Sequence, residues 1–338
     1  MKILRHLQVP TGDILIVNGS KGKLELLSLG DYGKDHNVVC GAMGLTRALK
    51  KVEHTTMLPL TEKWVVTIST QYGCSMNCKF CDVPKVGPGV NATANDMFNQ
   101  VDAAMRLHPE IKSTERLNIH FARMGEPTWN PGVLVAAQWL RSCLTEGGYN
   151  VHPVVSTMMP LHNRGLASFI KTWMEIKNVV FSGNAGLQLS INSTSEHERN
   201  HMFSGNAMSL ADLGKMMSSF IPIGRKITLN FALANYEIDA KKLARLFRPD
   251  RFLVKLTPMH KTTSCVSTGI ATPGDYTSIT PYQSAQRELE AEGFDVLVFI
   301  ASEYEDLGRI TCGNAVLSGS LPEVPYKEVA PSTSDVSN

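Results

Sequence analysis

Residues 73–85 read GCSMNCKFCDVPK, and this stretch decides how the rest of the chain is read. Cys74, Cys78 and Cys81 stand in C-x-x-x-C-x-x-C spacing, with Phe80 just before the third cysteine. They follow an apolar, β-branched run, Trp64-Val65-Val66-Thr67-Ile68-Ser69-Thr70, which predicts a strand delivering the cysteines on a loop. Three thiolates this close grip one face of a small iron–sulfur cluster. A four-iron cube then keeps one iron open to a ligand from outside the chain. A closed zinc site would take four ligands from the chain, usually as two pairs. The nearest histidines in sequence, His54 and His108, are not at metal-pair spacing.

The chain has 338 residues and 43% hydrophobic side chains, enough for a single α/β barrel with a large core. Its net charge of +2 gives no global signature of nucleic-acid binding, and leaves a local basic groove open. The seven cysteines are an odd count, and the N-terminus MKILRHLQVPTGD has no apolar stretch of useful length. No run approaches the roughly 20 apolar residues that span a bilayer. The expectation is a cytoplasmic protein with reduced thiols and no membrane partner. Cys40, Cys143 and Cys265 read as small buried or half-buried residues.

Residues 1–60 form a small β-rich segment in this reading. Asp13–Val17, an Asn-Gly-Ser-Lys-Gly turn and Lys23–Leu29 predict a hairpin, and Asn37–Cys40 a third short strand. The core spans residues 61–318, where strand, loop and helix repeat. Strands are expected at Val65–Thr70, Leu117–Ala122, Val151–Thr157, Gly186–Asn192, Lys226–Leu233 and Arg251–Thr257, with a further one at Phe294–Ala301. Helices are expected near 94–107, 131–146, 162–176, 208–220, 238–247 and 281–292. Thr280 before Pro281 reads as the last one's N-cap. Six alternations imply parallel βαβ units with the chemistry at the strand C-termini. The tail 319–338, rich in Ser, Pro, Thr and Val, reads as disordered.

Distinctive sequences sit where these strands end. After the second strand comes Arg123-Met124-Gly125-Glu126-Pro127, at the third Ser156-Thr157, at the fourth Ser190-Ile191-Asn192-Ser193, and after the sixth Thr257-Pro258-Met259-His260. Gly125 lets a ligand approach the backbone. Glu126 suits an ammonium, and Ser156, Ser190 and Asn192 suit hydroxyls or a carboxylate. Each also has a plain reading as a turn or helix cap. Lys79, Lys85 and Arg123 are basic residues near this end, suited to phosphates or merely solvated.

The cysteine loop resembles that of the radical S-adenosylmethionine superfamily. A closer resemblance, over residues 57–317, is to the RlmN and Cfr families of 23S ribosomal RNA adenosine methylases. It rests on Gln71-Tyr72-Gly73-Cys74, Met124-Gly125-Glu126-Pro127 with Asn130, Ser156-Thr157, Leu189-Ser190-Ile191-Asn192 with Arg199, and Thr311-Cys312-Gly313-Asn314, in that order. The resemblance implies a partial (β/α)6 barrel and a [4Fe–4S] cluster on Cys74, Cys78 and Cys81. S-adenosylmethionine would sit on the open iron, with a reductant such as flavodoxin or ferredoxin as electron source. It implies that Gly125 and Glu126 contact the methionyl amine and that Ser156, Ser190 and Asn192 contact other parts of S-adenosylmethionine. His260 falls near the adenine. Cys312 would be methylated first, and its activated methyl carbon would then add to an sp2 carbon of the substrate. A monomer acting on RNA or another nucleic acid is the corresponding expectation.

Two features depart from the family pattern. Where the family has a second catalytic cysteine, seven residues before the first cluster cysteine, this chain has Thr67, which forms no disulfide and is a poor base. Cys40 or Cys265 is then a candidate to reach in. The family's auxiliary glutamate corresponds to Glu53, one residue out of register, with His54 at the matched place. In place of a helical RNA-binding domain stands the strand-rich segment. Thr67 opens an alternative, a radical enzyme that takes hydrogen directly from a small molecule or peptide. A third reading is a non-catalytic relative that binds a partner through the barrel mouth.

Overall fold

The structure, a computed structural model, describes residues 1–30, 38–44, 58–270, 276 and 278–330. It opens with three antiparallel strands, β1 (Lys2–Val9), β2 (Gly12–Gly19) and β3 (Gly22–Gly30), followed by β4 (Val38–Val39) and β5 (Trp64–Ile68). A short hairpin, β6 (Gln71–Gly73) and β7 (Pro88–Asn91), brackets the cysteines. Then come α1 (Ala94–Arg106), β8 (Thr114–Phe121), α2 (Gly132–Thr145), β9 (Tyr149–Thr157), α3 (Leu166–Glu175), β10 (Gly186–Ser190), α4 (Glu196–Met202) and α5 (Leu210–Met217). The chain continues through β11 (Ile227–Leu233), α6 (Ala240–Leu246), β12 (Phe252–Pro258), α7 (Thr263–Ser267), α8 (Gln283–Ala291), β13 (Asp295–Phe299), α9 (Glu303–Leu307) and β14 (Lys327–Val329).

One sheet runs β14-β1-β2-β3-β5-β8-β9-β10-β11-β12-β13-β4. From β5 to β13 every neighbouring pair is parallel. The six expected strands are therefore present in sequence order, with β13 as a seventh. The alternation that builds them is plain in β5. Trp64, Val66 and Ile68 are fully buried while Val65 and Thr67 are half-buried. The apolar face packs on the helices, as Phe121 of β8 does on Trp173 of α3, ring centroids 6.2 Å apart. Helix starts follow local chemistry. Thr93 and Asp96 form a reciprocal capping box at α1, and Ser209 and Asp239 cap α5 and α6.

The other face is polar. Thr67 pairs in register with His120, Ser156 with Gln188, and Ser190 with Asn230, which in turn pairs with Lys255. These half-buried positions line the concave side under the strand C-termini.

Four expectations are corrected. The predicted hairpin forms as β2 and β3, but it joins the main sheet: β3 pairs antiparallel with β5, Leu27 opposite Thr67. The third short strand, β4, lies at the far edge of the sheet against β13 instead of beside the hairpin. The tail is ordered over 319–330, where β14 pairs with β1 and Arg5 holds Glu328 at 2.6 Å. Thr280 does not cap α8; it begins a 3₁₀ turn, Thr280–Tyr282, that runs into the helix. Among the described residues no helix is long and apolar enough to cross a membrane.

Candidate active site

The cysteine loop hangs from the β6–β7 hairpin, closed at its base by backbone contact. Gly73 has φ +80°, and a Cβ there would lie 2.2 Å from the Gly87 carbonyl oxygen. The three thiols stand close enough to act on each other. Burial pushes Cys74 up to about 11, and it pushes Cys78 and Cys81 well above the ordinary thiol range, with the neighbouring thiolates adding to the shift in the last two. Bound cationic metal relieves both burdens, because it stabilises thiolate. Among the described residues no group of three or more His, Cys, Asp or Glu converges on a single ion. Three thiols of one loop that act on one another are a donor set of the kind that suits a cluster with one open iron. Met76, Met158, Phe203 and Met259 wall it on the apolar side, with Cys78 Sγ 3.7 Å from Met158 Sδ.

Cys312 is brought to the same place. It is exposed at the barrel mouth, on the loop that follows α9. The Asp82 N–H donates to the Gly313 carbonyl at 2.8 Å. A Cβ on Gly313 would lie 3.8 Å from Cys81 Cα. An ionised Cys312 would act electrostatically on all three loop cysteines, which places it beside them. Although the residue is exposed, protein crowded around its thiol raises the pKa by desolvation, against the opposing pull of Arg123 and Lys255.

Glu126 and Gly125 reach this region from the β8 end. Gly125 has φ +97°, and a Cβ would lie 2.6 Å from the Gln71 side chain and 2.8 Å from its backbone nitrogen. The glycine is thus required by Gln71 itself, an internal reason that the ligand-approach reading did not supply. Glu126 is buried; its carboxylate accepts from Thr128 N–H (3.1 Å), Thr128 Oγ1 (2.7 Å) and Met158 N–H (3.0 Å). Burial still raises its pKa, and an incoming ammonium would offset that cost. Glu126 acts electrostatically on Cys74 and Cys78, which places it beside the trio.

The remaining predicted residues fall along the concave face. Ser156 Oγ accepts from Gln188 Nε2 at 3.1 Å. Ser190 stands opposite Asn230. Asn192 adopts φ +60° and its Oδ1 accepts from the Ala232 N–H at 3.0 Å, which fixes the end of β10 to β11. Arg199 is a staple under this turn, donating to the Ile191 carbonyl at 2.5 Å. His260 lies 2.8 Å from Asp306, whose charge raises the imidazole pKa against the pull of burial. Asp306 also accepts from Tyr276 (2.5 Å) and from Thr311 Oγ1 (2.5 Å), the residue before Cys312.

Arg123 is no surface cation: it is buried against Glu25. Lys85 is exposed, as the solvated reading has it, and ion-pairs with Asp82 at 2.6 Å. Cys265 is buried with its thiol donating to the Ile270 carbonyl at 2.8 Å, and Cys40 follows β4 at the far sheet edge, where Asp295 and Glu290 act on it. Glu53 and His54 lie outside the described residues. Sequence reasoning missed Glu25, Asp82 and Asp306. Asp82 had a signal, its place directly after Cys81. Glu25, in a strand of alternating leucines, had none.

No family model matches the chain. It is 31% identical over 229 residues to "Dual-specificity RNA methyltransferase RlmN" of Anaeromyxobacter dehalogenans, a match covering 64% of this chain and 58% of that protein. It is 27% identical over 206 residues to "Ribosomal RNA large subunit methyltransferase N" of Nitrosopumilus maritimus, covering 58% and 55%. The chain thus spans a little over half the length of the curated relatives it matches. In fold it is similar to the crystal structure of a radical SAM methyltransferase from Sphaerobacter thermophilus, with TM-score 0.62 and 21% identity, over 92% of this chain and 80% of that one.

Proposed function

We propose that the chain is a radical S-adenosylmethionine enzyme of the RlmN/Cfr-like kind, to whose members it is similar, and that it transfers methyl groups. In this reading Cys74, Cys78 and Cys81 hold a [4Fe–4S] cluster, and Cys312 carries the methyl group to an sp2 carbon of a nucleic-acid substrate. The observation that carries it is the meeting of the two loops, with Gly313 hydrogen-bonded to Asp82 next to Cys81. Such a cluster, reduced by a flavodoxin or ferredoxin, supplies a carbon-centred radical from S-adenosylmethionine. The chain's own residues do the rest. Glu126 and the backbone at Gly125 receive the methionyl amine. Ser156, Ser190 and Asn192 orient the remainder from the concave face. The methionine-lined wall excludes water. The Cys312 thiol gives up its proton on methylation, helped by the charges of Arg123 and Lys255.

Two measurements test this. Anaerobic reconstitution should give a brown, oxygen-sensitive protein, and peptide mass mapping should find one methyl group on Cys312. A full cluster with Cys312 never methylated would overturn the methylase reading and keep the superfamily. Thr67, fixed in β5 opposite His120, favours the alternative of direct hydrogen abstraction, because no thiol stands there to release a covalent adduct. In that case 5′-deoxyadenosine forms without S-adenosylhomocysteine. A nucleic-acid substrate predicts binding that weakens steeply with salt.

A further inference from the structure

The loop that carries Cys312 is held by an ion pair from two distant parts of the chain. Glu25, in the middle of β3, is fully buried. Its Oε1 receives Arg123 Nε at 2.9 Å and also Arg123 Nη2. The same carboxylate accepts from the Val316 N–H (3.1 Å) and the Leu317 N–H (2.9 Å). Arg123 in turn donates to the carbonyls of Arg309 (2.7 Å) and Thr311 (3.3 Å). The limb before Cys312 thus offers carbonyls and meets the guanidinium, while the limb after it offers amides and meets the carboxylate. Neither charge alone could satisfy both limbs. Glu25 is itself anchored, since Ser69 Oγ donates to its carbonyl at 2.5 Å.

We propose that Glu25 and Arg123 are positioning residues that fix Cys312 over the cysteine loop, making the N-terminal antiparallel strands part of the reaction site. This rests on the reading of Cys312 as the methyl-carrying thiol. The test compares Glu25→Gln and Arg123→Lys with Ser28→Ala, which removes the 3.0 Å Trp64–Ser28 hydrogen bond without touching the loop. Three quantities are read in the full chain: amide exchange at Val316 and Leu317, alkylation of Cys312 by iodoacetamide, and methyl occupancy of Cys312 after expression.

In Glu25→Gln the two amides should exchange about tenfold faster and Cys312 should alkylate about fivefold faster, as expected for a locally released loop. Methyl occupancy should fall about tenfold, with cluster absorbance unchanged. Arg123→Lys keeps the charge but not the fork, so it should fall between. Ser28→Ala should move none of the three. Equal changes in Ser28→Ala, or exchange and alkylation in Glu25→Gln within about twofold of wild type, would overturn the proposal. If Glu25→Gln does not fold, Arg123→Lys decides on the same criteria. If the wild-type thiol never carries a methyl group, the methylase reading fails, while exchange and alkylation still decide the positioning role.

Discussion

Arg123 at the barrel mouth and Lys177 at its base carry buried charge in opposite ways. At the mouth, three ionised groups are answered by partners of opposite sign. Arg123 after β8 meets Glu25 of β3, His260 after β12 meets Asp306 of α9, and Lys85 meets Asp82. At the base, under the strand N-termini, Lys226 meets Asp295 at 2.6 Å, but Lys177 and Arg225 meet dipoles. Lys177 donates to the carbonyls of Ile223 (2.5 Å) and Gly183 (3.4 Å), and Arg225 to that of Asn184 (3.2 Å). Burial lowers the Lys177 pKa to about 8 and the Arg225 pKa to about 10, with the Arg225 charge adding to the first shift and the Arg116 charge to the second. Paired charges fix geometry, because a fork and a carboxylate admit few arrangements. Cations on carbonyls satisfy loops without fixing much. The mouth is where the proposed chemistry needs loops in register.

The sharpest way to break this contrast is to make the same change at both ends. Arg123→Met leaves the Glu25 carboxylate buried and unpaired, which should cost about 3–5 kcal/mol of unfolding free energy. Urea unfolding monitored by tryptophan fluorescence measures it. A loss under about 1 kcal/mol would mean that the fold does not depend on the Arg123–Glu25 pairing, and the contrast would collapse. Lys177→Met removes a fully buried amine whose hydrogen bonds run to the Gly183 and Ile223 carbonyls. It forfeits hydrogen bonds to two carbonyls but also relieves a desolvated charge, so the expected loss is about 1 kcal/mol. A loss equal to that of Arg123→Met would show that the base is as tightly specified as the mouth.

The same contrast explains what was legible in the sequence. The β-branched runs at Val65–Thr70 and Lys226–Leu233 gave their strands, because a period of two with one apolar face leaves few alternatives. β1 was missed, since Lys2-Ile3-Leu4-Arg5-His6-Leu7 mixes polar and apolar residues and takes its place only by pairing with β2 and β14. Cys74, Cys78, Cys81 and Gly125 announced themselves through local spacing. Arg123 looked like a surface cation, because its partner lies 98 residues away and only the folded sheet brings Glu25 to it. Asp306 was silent for a like reason: His260 and Tyr276 come from separate segments, and only Thr311 lies near it in sequence. Local patterns reveal candidate ligands and strands. The pairings that position them are properties of the fold.

The smallest expected effect lies at the base and depends on pH. His152 is buried in β9, and its pKa is lowered to about 4, first by burial and then by the charges of Arg116 and Arg225. The unfolded chain binds that proton near pH 6.5, while the native fold refuses it until about 4. Between those values the unfolded state holds more protons, so stability falls as pH falls, and the loss is complete once pH passes below the folded value. Above the unfolded value the residue contributes no pH dependence. His152→Asn cannot titrate. The difference in melting temperature between variant and wild type should therefore be constant above neutrality and move in the variant's favour on acidification. Thermal melts from pH 7.5 to 4 on both proteins, compared as differences, cancel every other titrating group. A constant difference would mean that His152 is already protonated or freely solvated, and that the base tolerates a further positive charge beside Arg116 and Arg225.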